Sequence, residues 1–167
     1  MATTPDNLKA AFAGESQANR RYLAFAAQAD ADGYPAVARL FRAAADAETV
    51  HALAHLAALQ AVKDTVTNLK AAVEGEGFEF QKMYPDFLKV AGDEGHRAAV
   101  TTFSNALEVE RIHYDLYSKA IEAVQDGDDL ADRPVFVCQV CGNTVWNEPP
   151  GQCPICGSLK PMFKRIE

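Results

Sequence analysis

Sliding the sequence along itself by 62 positions lays Tyr22 on Tyr84, Phe25 on Phe87, Gly33 on Gly95, Ala36 on Ala98, Phe41 on Phe103, Glu48 on Glu110 and His51 on His113. Few folds accommodate such a repeat. Residues 4 to 125 are rich in Ala, Leu, Glu, Lys and Gln, with apolar positions three and four apart, which is the helical period. Each copy is therefore read as a helical hairpin, broken at Gly33–Pro35 in the first and at Gly92–Gly95 in the second. A hairpin with one apolar face cannot bury it alone. Two copies facing each other make a four-helix bundle with a pseudo-two-fold axis.

The expected helices run over 5–31, 35–62, 67–92 and 95–125, with "KDTVTN" between the second and third and Pro85 kinking the third. The bundle thus fills 1–125. A polar, acidic linker, "DGDDLADRP", covers 126–134, and from Val135 the composition turns to Cys, Gly, Pro and aromatic residues, marking a loop-rich second domain over 135–167. With 167 residues, 49% of them hydrophobic, the chain can hold one ordinary core and one small one. The net charge of −7 argues against nucleic acid or an anionic membrane as partners. Neither a signal-like N-terminal region nor an apolar run near the ~20 residues of a membrane span is found, so a cytoplasmic location is expected.

The repeat carries chemistry. On a helix, residues three apart share a face, so Glu48 with His51 and Glu110 with His113 each present an oxygen and a nitrogen toward one point. Burying such groups unpaired costs several kcal/mol, ~3 or more each. The pseudo-two-fold axis sets the two pairs opposite each other. Further acids lie on the other helices: Glu15 in "FAGESQANRRY" on the first, Glu76 and Glu79 in "VEGEGFEFQKMY" on the third. Solvated glutamates and packed core histidines would explain any one of these residues, but explain the matched set poorly. Five glutamates and two histidines form an oxygen-rich donor set that suits iron or manganese better than zinc or copper.

The register slips here in an informative way. At the ungapped offset Glu15 falls on Gly77, one residue from Glu76. A one-residue slip inside a helix is commonly absorbed by a π-bulge, so one is expected between Glu76 and Tyr84. Tyr22 and Tyr84 lie one or two turns beyond the acids, where they could either donate hydrogen bonds to ligand carboxylates or pack as core aromatics. His55 and His96 lack a matching acid and are expected at the surface or behind the ligands.

All four cysteines lie in the last thirty or so residues, as "CQVCG" and "CPICG": Cys138 with Cys141, and Cys153 with Cys156. Two Cys-x-x-Cys-Gly turns at this spacing read as one four-thiolate metal site, with disulfides the weaker alternative. Gly142 and Gly157 supply the open backbone conformation, and Phe136, Trp146 and Phe163 the small surrounding core. Tetrahedral zinc and a single iron both suit four thiolates.

With these segments in view, the chain resembles the rubrerythrin family over its full length, through "AFAGESQANRRY", the two Glu-x-x-His helices, "GEGFEFQKMYP" and the paired knuckles with "CPICG". The resemblance implies a mainly α fold, a ferritin-like four-helix bundle followed by a small rubredoxin-like domain. It implies that Glu15, Glu48, His51, Glu76, Glu79, Glu110 and His113 hold a di-iron site, and that Cys138, Cys141, Cys153 and Cys156 hold a third iron, with zinc possible there. It also implies an oxidoreductase of oxidative-stress defence, a peroxidase that reduces hydrogen peroxide to water with electrons relayed through the cysteine-bound iron from an external donor, a rubredoxin or a reductase. Glu79, the surplus acid, would bind one iron only in the oxidised state. Iron oxidation and storage beside a structural cysteine site is the rival from another class, and a zinc-ribbon interaction module on a helical scaffold a third.

The connection between helices two and three bears on assembly. In a ferritin-like bundle these helices run parallel, so the chain must climb about 30 Å between them, whereas five residues span at most roughly 17 Å at ~3.4 Å each. The expectation is a homodimer with swapped helical hairpins.

Overall fold

A computed structural model describes residues 1–167. The chain divides into two compact units, Met1–Lys63 and Asp64–Glu167. The first unit is one helical hairpin, α1 (Thr4–Ala31) and α2 (Pro35–Ala58). The second holds α3 (Thr65–Phe78), a π-helical turn (Glu79–Met83), α4 (Tyr84–Asp93) and α5 (Arg97–Gln125), then the strands β1 (Val135–Cys138), β2 (Thr144–Trp146) and β3 (Phe163–Ile166). Since α3, the π turn and α4 are continuous, the chain has four helices and a small sheet. No helix is long and apolar enough to cross a membrane.

Helix ends follow local chemistry. The Thr3 hydroxyl accepts from the Asp6 amide while the Asp6 carboxylate accepts from the Thr3 amide, a reciprocal cap that starts α1. The Asp64 carboxylate accepts from the Thr67 amide to start α3, and His96 Nδ1 accepts from the Ala99 amide to start α5. His96 is thus a cap. The two hairpin turns are the same motif: Tyr34 N–H reaches Ala29 C=O and His96 N–H reaches Ala91 C=O, with Gly33 and Gly95 at φ +83° and +68°. That conformation is open to glycine and strained for most other residues.

Differences from the expected boundaries fall at the middle link. Helix α2 stops at Ala58, four residues early, where Leu59, Gln60 and Ala61 bond back to His55, Ala57 and Leu56 and Gln60 turns to φ +51°. Pro85 lies in the first turn of α4, immediately beyond the π turn, where the change of hydrogen-bond register removes the need for its missing N–H.

The hairpin seam of the first unit is built from small residues: Ala18, Ala26 and Ala29 of α1 against Ala38, Ala45 and Ala52 of α2 are its buried side chains. Alanine lets two helices approach closely, but it leaves the larger apolar groups uncovered. Phe25 is 46% exposed and Leu53 61%. In the second unit Gly77 plays the same spacing role, since a Cβ there would lie 3.3 Å from the Tyr114 ring.

The C-terminal strands form an antiparallel sheet in the order β2-β1-β3, with Phe136 opposite Val145 and Arg165, and Cys138 opposite Phe163. The sheet is small, and the four cysteines lie at its end.

Candidate metal centres

The two copies of the repeat are alike down to their rings. Tyr22, Phe25 and Phe41 form a trio with centroid separations of 6.2, 6.3 and 5.6 Å, and Tyr84, Phe87 and Phe103 one with 6.3, 6.1 and 5.6 Å. About two turns of helix away, each copy gathers three potential ligands. In the first unit these are Glu15 from α1 with Glu48 and His51 from α2; in the second, Glu76 from α3 with Glu110 and His113 from α5. In each cluster the three donor atoms lie within 4.8 Å of one another. The internal geometry also repeats, with Nδ1 of His51 2.8 Å from Glu48 Oε2 and Nδ1 of His113 2.8 Å from Glu110 Oε2.

The second cluster is the more confined. His113 Nδ1 is also 4.0 Å from Glu76 Oε1, and its Nε2 lies 2.9 Å from the Thr144 hydroxyl of β2. Burial pushes the Glu76 carboxyl up to about 7, and the charge of Glu110, a hydrogen bond to it and the charge of Glu79 push the same way. Carboxylates crowded like this repel unless a proton or a cation lies between them. Two carboxylates and an imidazole converging on a point suit iron or manganese.

Glu79, on the π turn, is not among the three convergent ligands, yet burial and the charge of Glu110 raise its carboxyl too. The Tyr84 hydroxyl is raised by burial and then by the charges of Glu110, Glu79 and Glu76, so it faces this acid group. Tyr22 packs in its aromatic trio. His55 is half-buried on α2 and belongs to neither cluster. The expected π-bulge is present at Glu79–Met83.

At the sheet, Cys138, Cys141, Cys153 and Cys156 converge in the same way. Cys138 Sγ is 3.7 Å from Cys156 Sγ, and Cys141 Sγ 3.7 Å from Cys153 Sγ. Those separations far exceed a ~2.05 Å disulfide bond, and they match the ~3.8 Å edge of a tetrahedron with ~2.3 Å metal–sulfur bonds. The four thiols therefore fit one tetrahedral ion, whether zinc or iron. The two knuckles are equivalent turns, closed by Gly142 N–H to Cys138 C=O and Gly157 N–H to Cys153 C=O at 2.8 and 2.9 Å, with both glycines at positive φ.

Polar side chains invisible to spacing arguments line this site. Asn143, only 1% exposed, points its amide at Cys153 Sγ, 3.6 Å away, and the Ser158 hydroxyl lies 3.1 Å from Cys138 Sγ. Burial raises the Cys138 thiol, but hydrogen bonds from Ser158 and from the amides of Val140 and Cys141 outweigh it and hold it at about 6. Thr144 was equally illegible in the sequence. Its one signal is position, two residues past a knuckle glycine.

Comparison with known proteins matches these features. A family model described as rubrerythrin covers residues 6–121. The chain is 36% identical to rubrerythrin-2 of Clostridium acetobutylicum, over 98% of this chain and 96% of that one. It is also 36% identical to nigerythrin of Nitratidesulfovibrio vulgaris, over 98% and 86%. Among solved structures it resembles the fully reduced, all-ferrous state of nigerythrin, at 33% identity and TM-score 0.58, covering 99% of this chain and 88% of that one.

Proposed function

The chain belongs to the rubrerythrin family, and from that premise we propose that it is a non-haem di-iron peroxidase that reduces hydrogen peroxide to water in oxidative-stress defence. The observation that carries this reading is the pair of Glu-x-x-His clusters with the same 2.8 Å geometry, in a chain that also gathers four thiols for a third metal. Glu15, Glu48 and His51 hold one iron, Glu76, Glu110 and His113 the other, and Glu79 is a further ligand taken up on oxidation. When bound, two ferrous ions supply the two electrons that, with two protons, convert one peroxide into two waters.

The protein's own groups prepare that chemistry. Glu48 and Glu110 each set a carboxylate oxygen 2.8 Å from Nδ1 of their histidine, so that oxygen and nitrogen would face one ion together. The Tyr84 hydroxyl, held protonated by burial and the neighbouring acids, keeps a hydrogen-bond donor beside the second cluster. The four cysteines hold the iron that receives electrons from a rubredoxin or a reductase, a role that requires a reducing compartment such as the cytoplasm to keep them as thiolates.

The assembly in this proposal is a homodimer with swapped hairpins. Because Leu59, Gln60 and Ala61 are tied back to α2, only the steps from Ala61 to Thr65 are free to climb, about 14 Å at ~3.4 Å each. Parallel α2 and α3 with their ligands level would need about 27 Å along the axis, at ~1.5 Å per residue from His51 to Ala58 and from Thr65 to Glu76. Pairing each hairpin with that of a second copy removes the climb and covers groups such as Phe25 and Leu53.

The test is metal analysis of protein purified without air, followed by visible spectroscopy while peroxide is added to the reduced form. About three irons per chain, with the cysteine-bound iron reoxidising as peroxide is consumed, is the expected result. Zinc in the cysteine site, or peroxide consumed without its reoxidation, would favour iron storage or a scaffold instead.

A further inference from the structure

The Thr144 hydroxyl stands between two groups. His113 Nε2 is 2.9 Å from Oγ1 on one side, and the Gly142 carbonyl oxygen is 3.1 Å from it on the other. A carbonyl oxygen only accepts, and a threonine hydroxyl has one proton to give. Both contacts are satisfied together in one way: Thr144 donates to Gly142, and His113 Nε2–H donates to Thr144. Nε2 then carries a proton, and in the neutral ring that binds a metal the Nδ1 lone pair faces Glu110 Oε2 and Glu76 Oε1.

We propose that Thr144 is a positioning residue: seated against α5, the cysteine module commits His113 to the tautomer whose Nδ1 can bind a metal, and so completes the cluster of its own chain. The seat is specific. A Cβ on Gly142 would lie 3.5 Å from Cγ1 of Val109, a residue 2% exposed and one turn before His113 on the same helix. Gly142 is the residue after Cys141, so the chain Cys141, Gly142, Thr144, His113 joins the thiolate site to the carboxylate cluster within one unit. The first cluster has no counterpart. His51 makes the same Nδ1 contact to Glu48, but its side chain is 56% exposed and its Nε2 has no hydrogen-bond partner in its hairpin. A ligand histidine whose second nitrogen is hydrogen-bonded binds metal more tightly, and loss of such a partner typically lowers affinity about 10- to 100-fold.

This inference rests on the metal-binding part of the reading above and not on peroxide turnover. The experiment uses the full chain with only its four-thiolate site filled by zinc, which is diamagnetic, so that the Glu/His clusters start empty, and compares the natural protein with Thr144→Val, Thr144→Ala and Thr144→Ser. Long-range ¹⁵N–¹H NMR reads the tautomer of each histidine, and zinc titration reads the affinity of the Glu/His clusters. The natural protein and Thr144→Ser are expected to hold His113 protonated at Nε2. Thr144→Val and Thr144→Ala are expected to populate both tautomers and to weaken the His113 cluster about tenfold, with His51 unchanged as the internal control. An unaltered His113 tautomer with unaltered affinity in a folded Val or Ala variant overturns the proposal, as does a folded Ser variant that behaves like Val. A chain that turns over no peroxide, yet whose His113 tautomer follows the hydroxyl, would sink the peroxidase reading and leave this one standing.

Discussion

Glu15 and Glu76 occupy equivalent places in the two clusters, yet they are 61 positions apart, one fewer than the 62 between Tyr22 and Tyr84. The π turn at Glu79–Met83 holds the extra residue. It lets the second copy keep both its acid and its aromatic trio in register. Deleting Gln81, which is exposed on that turn, should restore a plain α-helix with the seven-residue spacing that joins Glu15 to Tyr22, so that Glu76 keeps its place relative to Tyr84. Metal titration should then find the affinity of the Glu76 cluster changed by less than about tenfold, with the cysteine site filling as before; a larger loss would mean that the π turn does more than absorb the extra residue.

Glu76 gives the metal-free protein a distinctive pH response. Its folded carboxyl is raised from 4.5 to about 7, first by burial and then by Glu110 and Glu79, so the folded state keeps a proton that the unfolded chain has released. Its contribution to stability is fully present below about 4.5 and is lost as pH rises through 7. Thermal melts in chelator should therefore show a higher Tm near pH 5.5 than near pH 7.5, an effect that Glu76→Gln abolishes. With metal bound the trend should reverse, because protons compete for the ligands.

Glu79 stands beside the convergent triad and outside it. Replacing it with Ala should leave ferrous-iron binding within about threefold while cutting peroxide turnover at least tenfold, about 1.4 kcal/mol or more in the barrier. Single-turnover absorbance with peroxide separates the two effects. Unchanged turnover would remove Glu79 from the reaction.

Asn143 donates toward Cys153 Sγ from a buried position. In protein whose cysteine site is loaded with iron, hydrogen bonds to sulfur favour the reduced state, whose thiolates carry more charge, so Asn143→Leu should lower the potential by some tens of millivolts, on the order of 30 mV or more. A redox titration of its visible band measures this directly. An unchanged potential would mean that the amide does not reach the sulfur.

In the swapped-hairpin proposal, the link over residues 59–64 sets the assembly. Inserting about ten Gly/Ser residues between Val62 and Lys63 would let the free segment span roughly 27 Å or more. Light scattering should then report a shift from dimer toward monomer with the metal content kept. A natural chain that is monomeric with its iron intact would end the swapped-hairpin proposal.

What the sequence determined by itself is what short-range physics writes into it. The helical period, the Gly33 and Gly95 turns, the shared helix face of Glu48 with His51 and of Glu110 with His113, and the two Cys-x-x-Cys-Gly knuckles all depend on residues within a few positions of each other. Even the π turn was legible, because an internal repeat makes a one-residue slip countable. The tertiary structure alone decided the rest. That the Thr144 hydroxyl meets His113 across 31 residues, that Asn143 and Ser158 face the thiols, and that Glu79 stays outside its triad are outcomes of how separate segments pack. The early end of α2 at Ala58 is another, since an Ala- and Leu-rich stretch has the propensity to continue as helix and only the turn at Gln60 stops it. Local spacing places a ligand on a helix face, but the hydrogen bond that commits its second nitrogen comes from another segment, and no period in the chain encodes that meeting.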